Sequence, residues 1–187
     1  MDFTGTLIRE FALLPKNWEL VLIIVALLSG LVLYLRYKKN IKPEELFFSS
    51  LLASYIVFIL YMTIIGRSPV TKRAEFIPFW SYVKPELWNE ILLNYILFIP
   101  FGFLLYVSHG DKREIGKKGI STAKAVLIGF LISSLIEINQ FIFRIGLFEF
   151  DDIIGNTIGC YIGVMVARRI EGFVKEKRKQ TILDRDH

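Results

Sequence analysis

The chain has one cysteine, Cys160, and two histidines, His109 and His187. A lone thiol excludes a disulfide within these residues, and so few imidazoles leave no Cys/His set of the kind that holds structural zinc. A Ser–His or Cys–His nucleophile is excluded from the acidic region considered below, because His109 falls in a loop at the other end of its span and His187 is the last residue. Charge is also missing from five long stretches: Leu20 to Leu35, Leu46 to Gly66, Ile91 to Ser108, Ala125 to Phe143 and Ile153 to Ala167. Of the 23 basic and 18 acidic residues, only Glu137 falls inside them. With 53% apolar residues and a mean hydropathy of +0.48, that partition excludes an ordinary cytosolic enzyme. The runs are continuous rather than alternating, which excludes a closed barrel. What remains is an all-α, polytopic transmembrane helical bundle of about five spans, each needing roughly 20 apolar residues.

At 187 residues the chain has room for one folding unit. Residues 1–17 place Phe3, Leu7, Phe11 and Leu14 at helical spacing, as in a short helix lying on the bilayer before Trp18 anchors the first span. The first run ends in Leu33, Tyr34, Leu35 and Arg36 rather than in a small-residue cleavage site, so it reads as a retained span. Residues 18–170 form the transmembrane domain, and residues 171–187 a basic cytoplasmic tail that is charged and frayed. Lys and Arg residues number two before the first run, then four, four, five, one and seven after successive runs. The positive-inside rule places the amino terminus outside and the carboxy terminus in the cytoplasm, with sixteen basic residues inside and seven outside. A net charge of +5 reflects these juxtamembrane clusters, which face anionic lipid, and no nucleic acid is expected as a partner.

On that orientation the polar residues of the spans converge near the outer leaflet. Glu137 lies six residues from the end of its run, or ~9 Å at 1.5 Å per residue. Asn94 and Asn156 lie at similar depth, Arg67 closes the second run, and Glu149, Asp151 and Asp152 stand in the outer loop. Gln140 and Arg144 follow Glu137 at i+3 and i+7, which puts the three on one face of a helix that continues to Arg144. An ionisable group in hydrocarbon costs ~2.5–3.5 kcal/mol on insertion scales, so Glu137 faces protein or water and needs a partner. For Asp151 and Asp152 a simpler role competes, the capping of free amides at a helix start. Gly155, Gly159 and Gly163 form a ridge that lets another helix approach closely. Pro100 and Gly102 invite a kink beside the polar layer. The carboxylates are oxygen ligands of the sort that hold magnesium, calcium or manganese, but no ligand spacing identifies a site; no cofactor is expected, with a divalent metal as the alternative.

Taken in order, these motifs resemble one known family. They are Ile65-Gly-Arg67, Phe76-Ile-Pro78-Phe79, Asn94 through Pro100-Phe-Gly102 to Leu105, Glu137-Ile-Asn-Gln140 with Arg144 after it, and Glu149-Phe-Asp151-Asp152-Ile-Ile-Gly-Asn156-Thr157-Ile-Gly159 closed by Gly163. The set covers roughly residues 60–165 and is similar to the VanZ-like family of small bacterial membrane proteins. Glu149 stands where such proteins usually carry Asp. The resemblance implies an integral membrane protein of the bacterial cell envelope, in a family whose founding members are associated with low-level resistance to glycopeptide antibiotics, teicoplanin in particular. Three accounts remain open. In the first, Arg67, Arg144, Asp151 and the amides of Asn94, Gln140 and Asn156 bind a phosphate or sugar headgroup of a lipid-linked wall precursor or a lipoglycopeptide. In the second, Glu137 or Asp152 is the catalytic base or metal ligand of a transferase or hydrolase acting on such a substrate. In the third, Glu137 relays protons in a transporter.

Overall fold

The computed structural model describes residues 27, 29–31, 34–35, 43–65, 74–109 and 119–184. The interfacial segment 1–17, most of the first run and Arg67 lie outside the described residues. Within the first run, Leu27, Ser29–Leu31, Tyr34 and Leu35 are helical, and the Ser29 and Ser54 hydroxyls share a hydrogen bond of 2.9 Å. Among the described residues four helical segments are long and apolar enough to cross a bilayer: Glu45–Ile64, Pro85–His109, Thr122–Phe143 and Phe150–Leu183. They coincide with the second to fifth apolar runs. The chain is an all-α membrane protein.

Local chemistry sets the helix ends. Helix α1 (Pro43–Leu60) continues into a π-helical turn, Tyr61–Ile65. Helix α2 (Trp88–His109) is led in by a 3-10 turn, Pro85–Leu87, in which the fixed φ of Pro85 suits the first helical position and Glu86 complements the dipole. Helix α3 (Thr122–Phe143) is capped by Ser121, whose hydroxyl accepts from the Lys124 amide at 3.2 Å. Helix α4 (Phe150–Leu183) is the longest. Hydroxyls within the spans bond back to carbonyls one turn earlier, Ser54 to Ser50, Thr63 to Ile59 and Thr157 to Ile153, which satisfies them in hydrocarbon. Pro100 cannot donate within α2 and crowds the preceding turn. There the Tyr55 hydroxyl of α1 donates to the Leu97 carbonyl at 2.8 Å.

Helices α2 and α4 share the most extensive contact, with α1 against α2 and α3 against α4. The core between them contains Ile59, Phe98, Phe101, Ile136, Cys160 and Val164. The α2–α4 approach depends on the glycine ridge. A Cβ at Gly163 would overlap the Ile99 carbonyl oxygen and lie 2.8 Å from the Phe103 amide, and one at Gly102 would overlap the Cys160 carbonyl. These are backbone obstacles that no rotamer change relieves. Gly163→Ala is therefore expected to cost ~1–3 kcal/mol as overpacking, read as a lower melting temperature in detergent. Gly172→Ala, where a Cβ meets nothing within 4 Å, should leave the melting temperature unchanged or raise it. Equal melting temperatures for Gly163→Ala and the native chain would contradict this crossing.

Helix α4 does not stop at the edge of the apolar run. It continues through the segment read as a frayed tail as far as Leu183, and its 34 residues span ~51 Å at 1.5 Å per residue. Glu171 holds the extension to the bundle, accepting from the Tyr106 hydroxyl at 2.7 Å and pairing with Lys175 one turn on.

Candidate functional site

The π-helical end of α1, the start of α2, the end of α3 and the start of α4 lie at one end of the bundle. Two loops close that end, and two short strands join them: β1 (Ala74–Glu75) and β2 (Phe148–Glu149) pair in parallel, with Ala74 opposite Phe148 and Glu75 opposite Glu149. Phe148 also stacks on Phe76 at 5.2 Å between ring centroids.

Asp151 stands in the first turn of α4 and is buried, but its carboxylate does not cap its own helix. Oδ1 accepts from the Phe79 amide at 2.5 Å, while Oδ2 accepts from the Ser81 amide at 3.0 Å and from the Ser81 hydroxyl. Phe79 has φ 65°, a left-handed conformation that costs a non-glycine residue roughly 1–2 kcal/mol. The carboxylate therefore clasps a loop that would not hold this shape alone. The next residues of that loop lead to Tyr82, whose hydroxyl shares a 2.7 Å hydrogen bond with that of Tyr95 on α2. Burial first, then Tyr95 and the Asp151 and Asp152 carboxylates, pushes the Tyr82 phenol well above its ordinary range, so it stays protonated. Tyr82, Trp88, Ile91, Leu92 and Tyr95 line an apolar cleft of about 240 Å³ on the outside of this wall.

Behind the wall, α3 presents Ser133, Glu137 and Gln140 on one buried face, with exposures of 0%, 2% and 2%. The Glu137 carboxylate accepts from the Glu149 amide at 3.0 Å, tying α3 to β2. Gln140 donates to the Thr63 carbonyl at 2.9 Å, using one of the last carbonyls of the first described span. Gly146 lets the loop pass directly over Gln140: a Cβ there would lie 2.8 Å from Gln140 Oε1. Asn156 on α4 donates to the Ser133 hydroxyl at 2.9 Å, but its carbonyl oxygen is buried with no hydrogen-bond partner among the described residues. Asn94 on α2 lies against Gly155, with its Cβ 3.7 Å from where a glycine Cβ would stand. Asp152 is half-buried beside this layer.

Arg144 departs from the expected arrangement. Helix α3 ends at Phe143, and Arg144 is its C-cap with φ 57°, so the i+7 spacing no longer places it on the Glu137 face. Its side chain is exposed, and among the described residues it makes no ion pair. A left-handed cap favours glycine. Arg144→Gly should therefore keep or raise stability, by ~1 kcal/mol, while removing the guanidinium from the rim of the site. Unfolding of that variant would show that the side chain holds the structure.

Depth along the helices identified Glu137, Asn94 and Asn156, helical spacing added Gln140, and the structure gathers them at one end of the bundle. It also brings in three residues that depth did not single out. Ser133 precedes Glu137 by one helical turn, a signal that was present. Ser81 and Thr63 act through loop and backbone contacts that carry no sequence signal. Among the described residues no three His, Cys, Asp or Glu side chains group in a way that could hold a metal ion.

The family model described as VanZ/LLP1 matches residues 46–171, well over half of the chain and all four described spans up to the interface end of α4. Protein VanZ of Enterococcus faecium is 37% identical over 97 residues, which cover 52% of this chain and 53% of that protein, so the similarity spans about half the length of each. No solved structure matches. The chain belongs to the VanZ/LLP1 family.

Proposed function

We propose that the polar layer binds the phosphate or sugar headgroup of a lipid-linked envelope molecule at the outer leaflet, and that this binding contributes to tolerance of glycopeptides such as teicoplanin. The observation that carries the reading is the carbonyl oxygen of Asn156, an acceptor buried between spans with no donor among the described residues. Leaving such an atom unpaired costs ~1–3 kcal/mol, and a ligand hydroxyl would remove that cost. Asn94, Glu137, Gln140 and Asp152 surround the same end of the bundle, where the Glu137 carboxylate can accept from a headgroup hydroxyl; Arg144 at the rim, and Arg67, which lies outside the described residues, are the cations the sequence offers a phosphate. Asp151 contributes by holding the loop above the layer. The charge ledger supports an outward orientation of this end, with the amino terminus outside and the carboxy terminus in the cytoplasm.

A second reading has one observation in its favour. Glu137 is a carboxylate at 2% exposure within a spanning helix, the kind of group that a transferase or hydrolase uses as a general base. A radiolabelled polyprenyl-phosphate sugar, offered to the protein in liposomes, separates the two. Binding gives a plateau of label stoichiometric with protein, whereas catalysis gives product that accumulates past one turnover. No retention and no product would end both readings.

A further inference from the structure

We propose that the end of the bundle opposite this site holds one anionic phospholipid, with its phosphate between Arg168 and Arg169. From Asp152 to Arg168 helix α4 descends sixteen residues, or ~24 Å, against a hydrocarbon thickness of ~30 Å, so the two arginines stand at the opposite interface. Thr122, the first residue of α3, is at the same level: Arg168 Nη1 donates to its hydroxyl at 2.8 Å. A cleft of about 400 Å³ opens there, lined by Met165, Arg168, Arg169, Gly172, Phe173 and Glu176. Its hollow is the missing side chain of Gly172, around which a Cβ would meet nothing within 4 Å.

Among the described residues Arg169 makes no ion pair, and the hydrogen bond of Arg168 goes to a neutral hydroxyl. Both guanidinium groups line the cleft, and each can bind a phosphate diester through paired N–H groups. Glu176 closes the far edge and repels a phosphate toward the arginines. Met165 and Phe173 give the cleft apolar sides, and Val166 and Ile170 are exposed beside it at 44% and 49%. A lipid whose phosphate sits at the arginines lays its glycerol and first methylenes along those apolar surfaces, which a soluble anion does not reach. This site is independent of the polar layer at the other end, and either can fail alone.

Native mass spectrometry of the detergent-solubilised full chain tests the proposal, with phosphatidylglycerol and phosphatidylcholine of identical chains as probes. One phosphatidylglycerol should be retained in preference to phosphatidylcholine. Arg168→Gln with Arg169→Gln should weaken it about thirtyfold, which is ~2 kcal/mol, at ~1 kcal/mol per cation near lipid headgroups. Lys177→Gln with Lys179→Gln removes the same charge from the same helix outside the cleft and should change retention little. Gly172→Leu keeps every charge and has room on its own helix, so it should fold and yet lose the lipid. Equal retention of the two lipids, equal loss in both double variants, unchanged retention in Gly172→Leu, or displacement by glycerol 3-phosphate at the lipid's own concentration would each overturn the proposal.

Discussion

Asp151→Ala is expected to destabilise the protein by ~3–6 kcal/mol and to release the loop that covers the candidate site. The carboxylate accepts three hydrogen bonds, from the Phe79 amide, the Ser81 amide and the Ser81 hydroxyl. Alanine leaves all three donors without an acceptor; the two of buried Ser81 cost ~1–3 kcal/mol each, and the partly exposed Phe79 amide adds less. The left-handed Phe79 loses the contact that holds it, so the loop should relax rather than stay in place. Asp151→Asn keeps one acceptor oxygen and should fall between the two. Thermal unfolding in detergent gives the total, and hydrogen exchange at the Phe79 and Ser81 amides locates it. Native protection of those amides in Asp151→Ala would show that the clasp contributes nothing.

Glu137→Gln is expected to abolish ligand binding while the fold survives. The substitution keeps the side-chain length, and its carbonyl can still accept from the Glu149 amide, now 3.0 Å away. If the charge of Glu137 served only to balance a buried cation, removing it would strand that cation and cost ~3–5 kcal/mol. In a layer open to a polar ligand, water enters and solvates what the charge leaves behind, so stability changes little. On the proposed function, any teicoplanin tolerance that the chain confers should then disappear at native levels of inserted protein. A fall in the amount of folded protein to match the phenotype would assign Glu137 to the structure instead.

The spans were legible because hydrocarbon tolerates so few arrangements. A charge excluded from the Leu46 to Gly66 run, or from Ile91 to Ser108, leaves only a helix able to satisfy that backbone. Depth then placed Glu137, Asn94 and Asn156 at one level, since a straight helix converts residue number into height. The ridge of Gly155, Gly159 and Gly163 was legible too, because small residues at every fourth position mark a close approach. Contacts between loops were not legible. Asp151 and Ser81 are 70 residues apart, and the shape that joins them rests on a left-handed phenylalanine that no propensity favours. The stop at Phe143 was hidden for the same reason, since Arg144 occupies a conformation usually left to glycine. β1 and β2 are two residues each, too short for any alternation to register. The extension of α4 was hidden by its charge: Glu171 and Lys175 are good helix formers that pair one turn apart, so a polar segment continues the helix into water.

Ligand-induced thermal stabilisation, compared between the native chain and Glu137→Gln, tests the polar layer most directly. The probe is the polyprenyl-phosphate sugar, titrated onto protein in detergent. A ligand that binds only the folded state raises stability by about 2.7 kcal/mol at a hundred times its dissociation constant. The native melting temperature should rise with probe concentration, and that of Glu137→Gln should begin close to the native value and stay there. An equal rise in both proteins would contradict the assignment of this layer as the binding site.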